Sequence, residues 1–304
     1  MSITTLLSAL PGAVAQGLIW GIMAIGVNLT YKVLDVSDLT VDGTMATGGA
    51  VCVMLMINGV NVWVAMLCAV IAGMIAGFIT GVFKTCMGIP AILAGILTQL
   101  ALYSINLWIM GFKANQGLNV TKYNLIVSAR NVRHLSLDNP ILMLLIITAL
   151  LIGFLYWFFG TELGCSLRAT GCNVNMAKAQ GINVDHCTRI GLMLSNGIVA
   201  LSSALFAQYQ GSVDVNMGRG AIVIGLAAVI ISNVLFGKIF HNFGLKLLGV
   251  SLGAVIYYLV IQVVLWLGLN TNLLKLLSAL IVAFFLAIPY WSAKYSQKHI
   301  KGAH

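Results

Sequence analysis

The chain has 304 residues, of which 60% are hydrophobic and only 8% are charged. A soluble domain carries about 25% charged residues, so the composition excludes that class and predicts a membrane protein that crosses the bilayer several times. The net charge of +9 indicates loop charge and contact with anionic lipid, and nothing in the sequence favours nucleic acid as a partner.

Nine apolar segments approach the roughly 20 residues that a membrane-spanning helix needs. Two of them, Gly43–Ile57 and Ala221–Phe236, are short, which is typical of broken helices that line a pathway. We therefore predict an all-α polytopic membrane protein with about 8–10 transmembrane helices, forming a single domain over residues 1–304. The other segments are Gly12–Tyr31, Val60–Phe83, Ile89–Met110, Ile141–Phe159, Ile190–Tyr209, Leu245–Trp266 and Leu273–Tyr290.

The stretch Val33–Gly43 contains three of the chain's seven acidic residues, Asp35, Asp38 and Asp42. Carboxylates at membrane depth are costly and face a cavity or a partner. Their spacing lacks the alternation and the final Glu of a calcium loop. We expect Asp42, Thr40 or Asp38 to cap the short helix that follows; direct contact with a solute is the alternative.

Three further polar features accompany the apolar segments. Gln99, Tyr103 and Asn106 lie three and four residues apart, on one face of a helix, where they can share a water-filled path. Gln208–Gly220 is a polar turn bounded by glycine that precedes the second short segment. The long polar loop 111–140 exceeds a plain turn and is either a disordered connection or a landing surface for an external partner.

The segment Gly160–Arg189 is polar and lies between two apolar segments. Apolar residues three and four apart, with Gly171 and Gly181 as breaks, predict one or two short amphipathic helices. A solvated loop is the alternative, but the many small residues favour a docked element. Placing this loop and the C-terminus in the cytoplasm leaves more Lys and Arg inside than outside, as membrane proteins prefer.

Several chemical motifs do not occur in the sequence. It has no phosphate-binding loop of the G-x-x-x-x-G-K-[ST] type, no H-E-x-x-H and no G-x-S-x-G. Its six cysteines form no C-x-x-C pair, so reduced thiols are expected rather than a disulfide or a metal site. We nominate no catalytic residue and no metal ligand, and a membrane enzyme is disfavoured.

Four segments resemble permeases of ABC importers of the branched-chain amino acid/ribose class, over about residues 12–290. DLTVDGTMATGGAV (Asp38–Val51) is similar to the motif near their second core helix. GCSLRATGCNVNMAKAQGINV (Gly164–Val184) resembles their cytoplasmic coupling loop. GRGAIVIGLAAVIISNVLFG (Gly218–Gly237) resembles the segment after their re-entrant turn, although Ile231-Ser232-Asn233 replaces a glycine pair. Gly88–Gly111 looks closest to the tryptophan/tyrosine-type subgroup.

The resemblance implies a transport subunit in the inner or plasma membrane of a bacterium, paired with a second copy as a homodimer. Two cytoplasmic ATPase subunits would bind ATP and Mg²⁺, leaving no cofactor in this chain, and an external binding protein would deliver an amino acid or a similar small polar solute. The loop 160–189 would contact the ATPases through Leu167, Arg168, Gly171, Asn175, Ala177, Lys178 and Gly181. The solute path would include Asp38, Thr40, Asp42, Gln99, Asn106 and Gln208.

One alternative function remains open from the residues alone. A self-sufficient secondary transporter would couple solute movement to H⁺ or Na⁺ through Asp35, Asp38 or Asp42. The absence of a phosphate-binding loop agrees with either reading, because an ABC permease takes its ATPase from another chain.

Overall fold

The computed structural model describes residues 3–123, 125–130, 139–237 and 239–267, together with a few positions between 276 and 287. These residues form ten α-helices and a short two-stranded ribbon. The helices are α1 (Ile3–Asn28), α2 (Thr40–Ile57), α3 (Val62–Thr85), α4 (Ala91–Ile109), α5 (Pro140–Phe158), α6 (Glu162–Cys172), α7 (Val174–Ala179), α8 (Val184–Gln210), α9 (Ala221–Phe236) and α10 (Phe243–Trp266), and the strands are β1 (Asn115–Gly117) and β2 (Ser212–Asp214).

Seven of the described helices are long and apolar enough to cross a membrane. They are α1 to α5, α8 and α10, with α9 as a shorter apolar helix of 16 residues. This confirms the predicted all-α polytopic fold. The ninth predicted segment, Leu273–Tyr290, and the C-terminal tail fall largely outside the described residues.

The first of the two short segments is longer than predicted. The helix α2 begins at Thr40 rather than Gly43 and has 18 residues, or about 27 Å at 1.5 Å per residue. The Asp38 carboxylate accepts a hydrogen bond from the Thr40 amide at 2.9 Å, which holds the first turn of the helix. The second short segment, α9, has the predicted bounds.

Helices α1, α2 and α8 form the centre of the bundle, and α5 lies at its periphery. Glycines allow the central backbones to approach closely. A Cβ atom on Gly48 would lie 2.5 Å from the Ala200 carbonyl oxygen, and one on Gly77 would lie 2.3 Å from that of Leu192. Such small residues at contacts are how membrane helices pack without a hydrophobic driving force between them.

The two ends of α8 carry different structures. The short helices α6 and α7 precede it, and the ribbon follows it, about 40 Å away along a helix of 27 residues. The strands β1 and β2 pair antiparallel, so part of the loop 111–140 is folded against the bundle. The loop is also held by the Gln208 side chain, which accepts a hydrogen bond from the Ile126 amide at 3.2 Å.

A π-helical turn, Leu29–Val33, extends α1 at the end of the bundle that carries α6 and α7. The chain leaves this turn through Asp35, which has a φ of +53°, and then reaches Asp38 and α2. The amide of Val36 donates to the Thr30 carbonyl at 2.9 Å, so this connection is pinned back onto α1.

We expect Gly77→Ala to destabilise the fold, because its methyl group would meet the α8 backbone. Overpacking of this kind costs about 1–3 kcal/mol. The matched control is Gly153→Ala in α5, where an added Cβ meets nothing within 4 Å. Thermal unfolding of the purified variants in detergent measures the difference. Equal melting temperatures for the two variants would contradict the close contact between α3 and α8.

Candidate functional site

The carboxylate of Asp42 joins two helices that are distant in the sequence. It lies in the first turn of α2, and its Oδ2 and Oδ1 atoms accept hydrogen bonds from the amides of Gly220 and Ile222, both at 3.0 Å. These amides belong to the N-terminal end of α9, where backbone donors lack helical partners and a negative charge is favoured. Asp42 therefore caps α9 and not α2. Of the three residues predicted to cap α2, Asp38 is the one that accepts from the amide of its first residue, Thr40.

Two glycines make this contact possible. A Cβ atom on Gly218 would lie 2.0 Å from the Asp42 carbonyl oxygen. The chain before α9 therefore approaches α2 so closely that only glycine fits at position 218. Gly220 has a φ of +87°, in the left-handed region that glycine adopts without strain. The turn before α9 thus depends on glycine for both its path and its packing.

A cavity of about 320 Å³ lies beside this contact, between α2, α4 and the turn before α9. Its polar lining combines one carboxylate, one guanidinium, two amides and one phenol, while Gly43, Ala46, Leu100 and Val215 complete the wall. Three of the predicted path residues, Asp42, Gln99 and Asn106, meet in this wall. The polar lining residues are Asp42, Gln99, Tyr103, Asn106 and Arg219.

The amide of Asn106 is the most deeply buried polar group of this wall, with a relative exposure of 0%. Its Nδ2 atom reaches the Gly43 carbonyl at 3.5 Å, at the limit of a hydrogen bond. Its Oδ1 atom receives no hydrogen bond from any described residue. Buried polar atoms are almost always paired, so this acceptor is an exception that the fold maintains beside a cavity.

Asp38 belongs to a separate, buried network. Its Oδ2 atom accepts from the Asn196 amide at 2.7 Å, and the Oδ1 of Asn196 accepts from the Thr44 hydroxyl at 2.7 Å. Burial raises the pKa of Asp38, and its hydrogen bonds from Thr40 and Asn196 act in the opposite direction. The hydroxyls of Thr40, Thr80 and Thr98 continue the network between α2, α3 and α4.

The predicted path residues therefore divide into three places. Asp42, Gln99 and Asn106 line the cavity, Asp38 and Thr40 lie in the buried network, and Gln208 is fully buried where it holds the loop 111–140. Asp38 and Asp42, which are close in sequence, have separate hydrogen-bond partners. Within the described residues, no group of three or more His, Cys, Asp or Glu side chains is placed to hold a metal ion.

The helices α6 and α7 form the predicted pair of short helices, but the break between them is at Asn173 and not at Gly171. The Asn173 side chain accepts from the Met176 amide at 3.1 Å and caps α7. Gly171 lies inside α6, at the point where this helix packs on the π-helical turn. Glycine is required there because a Cβ would lie 1.8 Å from the Val33 carbonyl oxygen. Gly181, with a φ of +79°, ends the second helix region as predicted.

The seven residues predicted in this loop face in two directions. Leu167 and Ala177 are buried, and Gly171 packs on Val33. The guanidinium of Arg168 donates to the Phe159 carbonyl and lies 5.8 Å from the centre of the Phe243 ring, so it fastens α6 to the rest of the bundle. The outward-facing members are Asn175, Lys178 and Gly181.

Residues 10–288 match the family model described as the permease component of the branched-chain amino acid transport system. The chain belongs to this permease family. It is 37% identical over 283 residues to the tyrosine transport system permease protein of Clostridioides difficile, covering 92% of this chain and 91% of that protein. It is also 30% identical to the autoinducer 2 import system permease protein LsrC of Yersinia pestis, over 70% of this chain and 58% of that one.

Among solved structures, the fold of the permease is similar to a chain of PsaBC from Streptococcus pneumoniae in complex with Fab. The TM-score is 0.53 and the sequence identity 17%, covering 94% of this chain and 95% of that chain. The similarity to the family confirms the expected class of protein, a permease subunit of an ABC-type system for solute import.

Sequence reasoning missed two parts of the permease site. Arg219 lines the cavity, but in the sequence it is only a charged residue in a glycine-rich turn. The capping partner of Asp42 lies 178 residues further along the chain, beyond any local pattern. The glycines of Gly218–Gly220 were the available signal, because they mark a turn that approaches other backbone closely.

We expect Asp42→Ala to lower the melting temperature of the permease, because the amides of Gly220 and Ile222 lose their acceptor. Loss of a helix cap costs about 0.5–2 kcal/mol. Asp42→Asn, which keeps an oxygen acceptor, should lose less. Asp185→Ala serves as the control, since Asn183 caps that helix instead. Unchanged unfolding of Asp42→Ala in detergent would show that the carboxylate does not hold α9.

Proposed function

We propose that this permease is the transmembrane subunit of an ATP-binding cassette importer and forms the path for an amino acid or a similarly small polar solute. The observation that carries the proposal is the polar cavity beside Asp42. Non-helical backbone at membrane depth, here the turn that ends at Gly220, is tolerated where protein or a water-filled cavity satisfies it. The tyrosine transport relative supports an amino acid as the solute.

The proposed ATPase contact is the surface formed by α6 and α7. Three apolar side chains of these helices are exposed: Leu163 (49%), Val174 (46%) and Met176 (64%). Exposed apolar groups on a polar element are typical of a protein interface. Because the sequence has no phosphate-binding loop of its own, we take the ATPases to be separate chains. We place this end of the permease in the cytoplasm, together with the C-terminus.

The opposite end of the bundle carries the ribbon and the folded part of the loop 111–140. We assign the landing surface of the external binding protein to this end. A cavity of about 590 Å³ opens there, with Trp63, Thr121 and Tyr123 in its wall. A second copy of the permease completes the path as a homodimer in the inner or plasma membrane of a bacterium.

In the proposed mechanism, ATP binding closes the two ATPases and moves α6 and α7 with them. The close contact of Gly171 with Val33 would transmit this movement to the π-helical turn and, through residues 34–39, to α2. Since Asp42 joins α2 to α9, the wall of the cavity would shift with it. ATP supplies the few kcal/mol that switching between two such states requires.

The position of the acidic residues supports this reading over ion-coupled transport. Both oxygens of Asp38 and of Asp42 accept hydrogen bonds from protein donors. Asp35 lies in the connection after the π-helical turn, where its backbone has a φ of +53°. A coupling ion at Asp38 or Asp42 would therefore have to share the carboxylate with donors that the fold already supplies.

We expect Val174→Asp combined with Met176→Asp to abolish binding of the ATPase subunits and ATP-driven uptake of L-tyrosine into proteoliposomes. Both side chains are exposed, so the permease should remain folded. Phe112→Asp is the control for ATPase binding alone: it introduces one carboxylate at a residue with 76% exposure after α4, away from α6 and α7. Retained ATPase binding by the double variant would contradict the proposed docking surface, and ATP-independent uptake by the wild type would contradict the proposed function.

A further inference from the structure

The cavity beside Asp42 is bordered by a residue whose buried acceptor atom has no donor. The Oδ1 atom of Asn106 is buried and receives no hydrogen bond from a described residue, although the Asn106 side chain lies in the wall of a cavity of about 320 Å³. Leaving a buried acceptor unpaired costs free energy. A ligand with an N–H donor would remove that cost, and a protonated amine would do so most strongly, because charge-assisted hydrogen bonds are the stronger ones.

The charges of the same wall have opposite signs. Each oxygen of the Asp42 carboxylate accepts one backbone hydrogen bond and keeps further acceptor capacity. The guanidinium of Arg219, on the turn before α9, lies in the same lining and is exposed. A wall with one negative and one positive group discriminates against a solute with a single charge, since one of the two groups then repels it.

We propose that this cavity is a subsite for the head group of a free α-amino acid. Its ammonium group donates to Asn106 Oδ1 in the field of the Asp42 carboxylate, and its carboxylate pairs with Arg219, for which the planar guanidinium is well suited. The inference rests on the proposed function and adds that the permease itself, and not only an external binding protein, selects for a zwitterion. Asn106 and Arg219 are the residues that determine this specificity.

The size of the cavity agrees with this assignment. Its volume lies at the lower end of the range of about 300–1,000 Å³ that small-molecule sites occupy. The apolar part of the wall, Ala46, Leu100 and Val215, leaves room for a side chain next to the head group. Tyr103, with an exposure of 42%, stands at the accessible edge, which makes it suitable for a reporter.

Protection of a cysteine at this edge tests the subsite without any ATPase or binding protein. Tyr103→Cys is introduced into the full-length permease with its six native cysteines replaced by alanine, in nanodiscs. The labelling rate with a water-soluble thiol reagent is then measured against L-tyrosine, tyramine and 3-(4-hydroxyphenyl)propionate. L-leucine, isoamylamine and 4-methylpentanoate form a second set with the same three head groups.

We expect at least one of the two amino acids to protect the cysteine. The corresponding amine, which lacks the carboxylate, and the corresponding acid, which lacks the ammonium group, should need concentrations about tenfold higher or more, because each loses a charge-assisted hydrogen bond. Asn106→Leu should weaken protection by the amino acid and the amine but not by the acid. Arg219→Gln should weaken protection by the amino acid and the acid but not by the amine. A purely structural role of either residue would affect all three compounds alike.

Two control variants accompany these measurements. Asn58→Leu and Arg130→Gln repeat the substitutions at exposed positions outside the cavity and should change nothing. Because Asn106 is buried, its variant could fail to fold; Arg219 is exposed, so its variant keeps the test decisive.

Equal protection by the three head groups, no protection by either amino acid, or parallel loss for all compounds in the Arg219 variant would overturn the subsite. The proposed function is tested separately by ATP-driven uptake. If uptake is intact while the head groups are not distinguished, only the subsite is wrong. If head-group selectivity is found but no ATPase binds, the proposed function fails and the subsite stands.

Discussion

The hydrogen bonds from the N-terminal amides of α9 to the carboxylate of Asp42 are the interaction on which the site depends. Both partners lie partly buried in a bundle of helices that are apolar enough to cross a membrane, where an unpaired carboxylate or an open helix end would each be costly. The pairing satisfies both at once. It also fixes the glycine-rich turn before α9 against α2, and this turn brings Arg219 to the same cavity as Gln99 and Asn106.

A second close contact lies at the other end of the same connection. The helix α6 approaches the π-helical turn so closely that Gly171 has no room for a side chain. From that turn a short stretch of chain leads to Asp38, whose carboxylate accepts a hydrogen bond from the first residue of α2. Asp42 follows four residues later, in the first turn of that helix. The surface of α6 and α7 and the cavity are thus joined by a short length of backbone that is held at both ends.

The sequence was sufficient for features that depend on composition and local pattern. Mean hydropathy and span length predicted the polytopic fold, and the bounds of α9 were correct because an apolar run between glycines is a local signal. The spacing of the acidic residues along the chain was not sufficient to predict their hydrogen-bond partners. Asp38 and Asp42 are four residues apart, yet one joins a network with Asn196 and the other caps a helix 178 residues away, because tertiary packing decides which donors meet them. Gly171 was predicted to break the helix, but it lies at a close helix contact. The sequence does not separate these two roles, because close packing and helix termination both favour glycine.

Amide hydrogen exchange of residues 218–224, which include the turn before α9 and the first turn of that helix, probes the hydrogen bonds of Asp42 themselves. In the wild-type permease, the amides of Gly220 and Ile222 should be protected because the Asp42 carboxylate accepts from both. In Asp42→Ala the protection of a peptide spanning residues 218–224 should fall, while that of the α10 segment Gly249–Gly253 should not change. Rapid exchange of the 218–224 peptide in the wild type, or the same exchange in both proteins, would contradict the account.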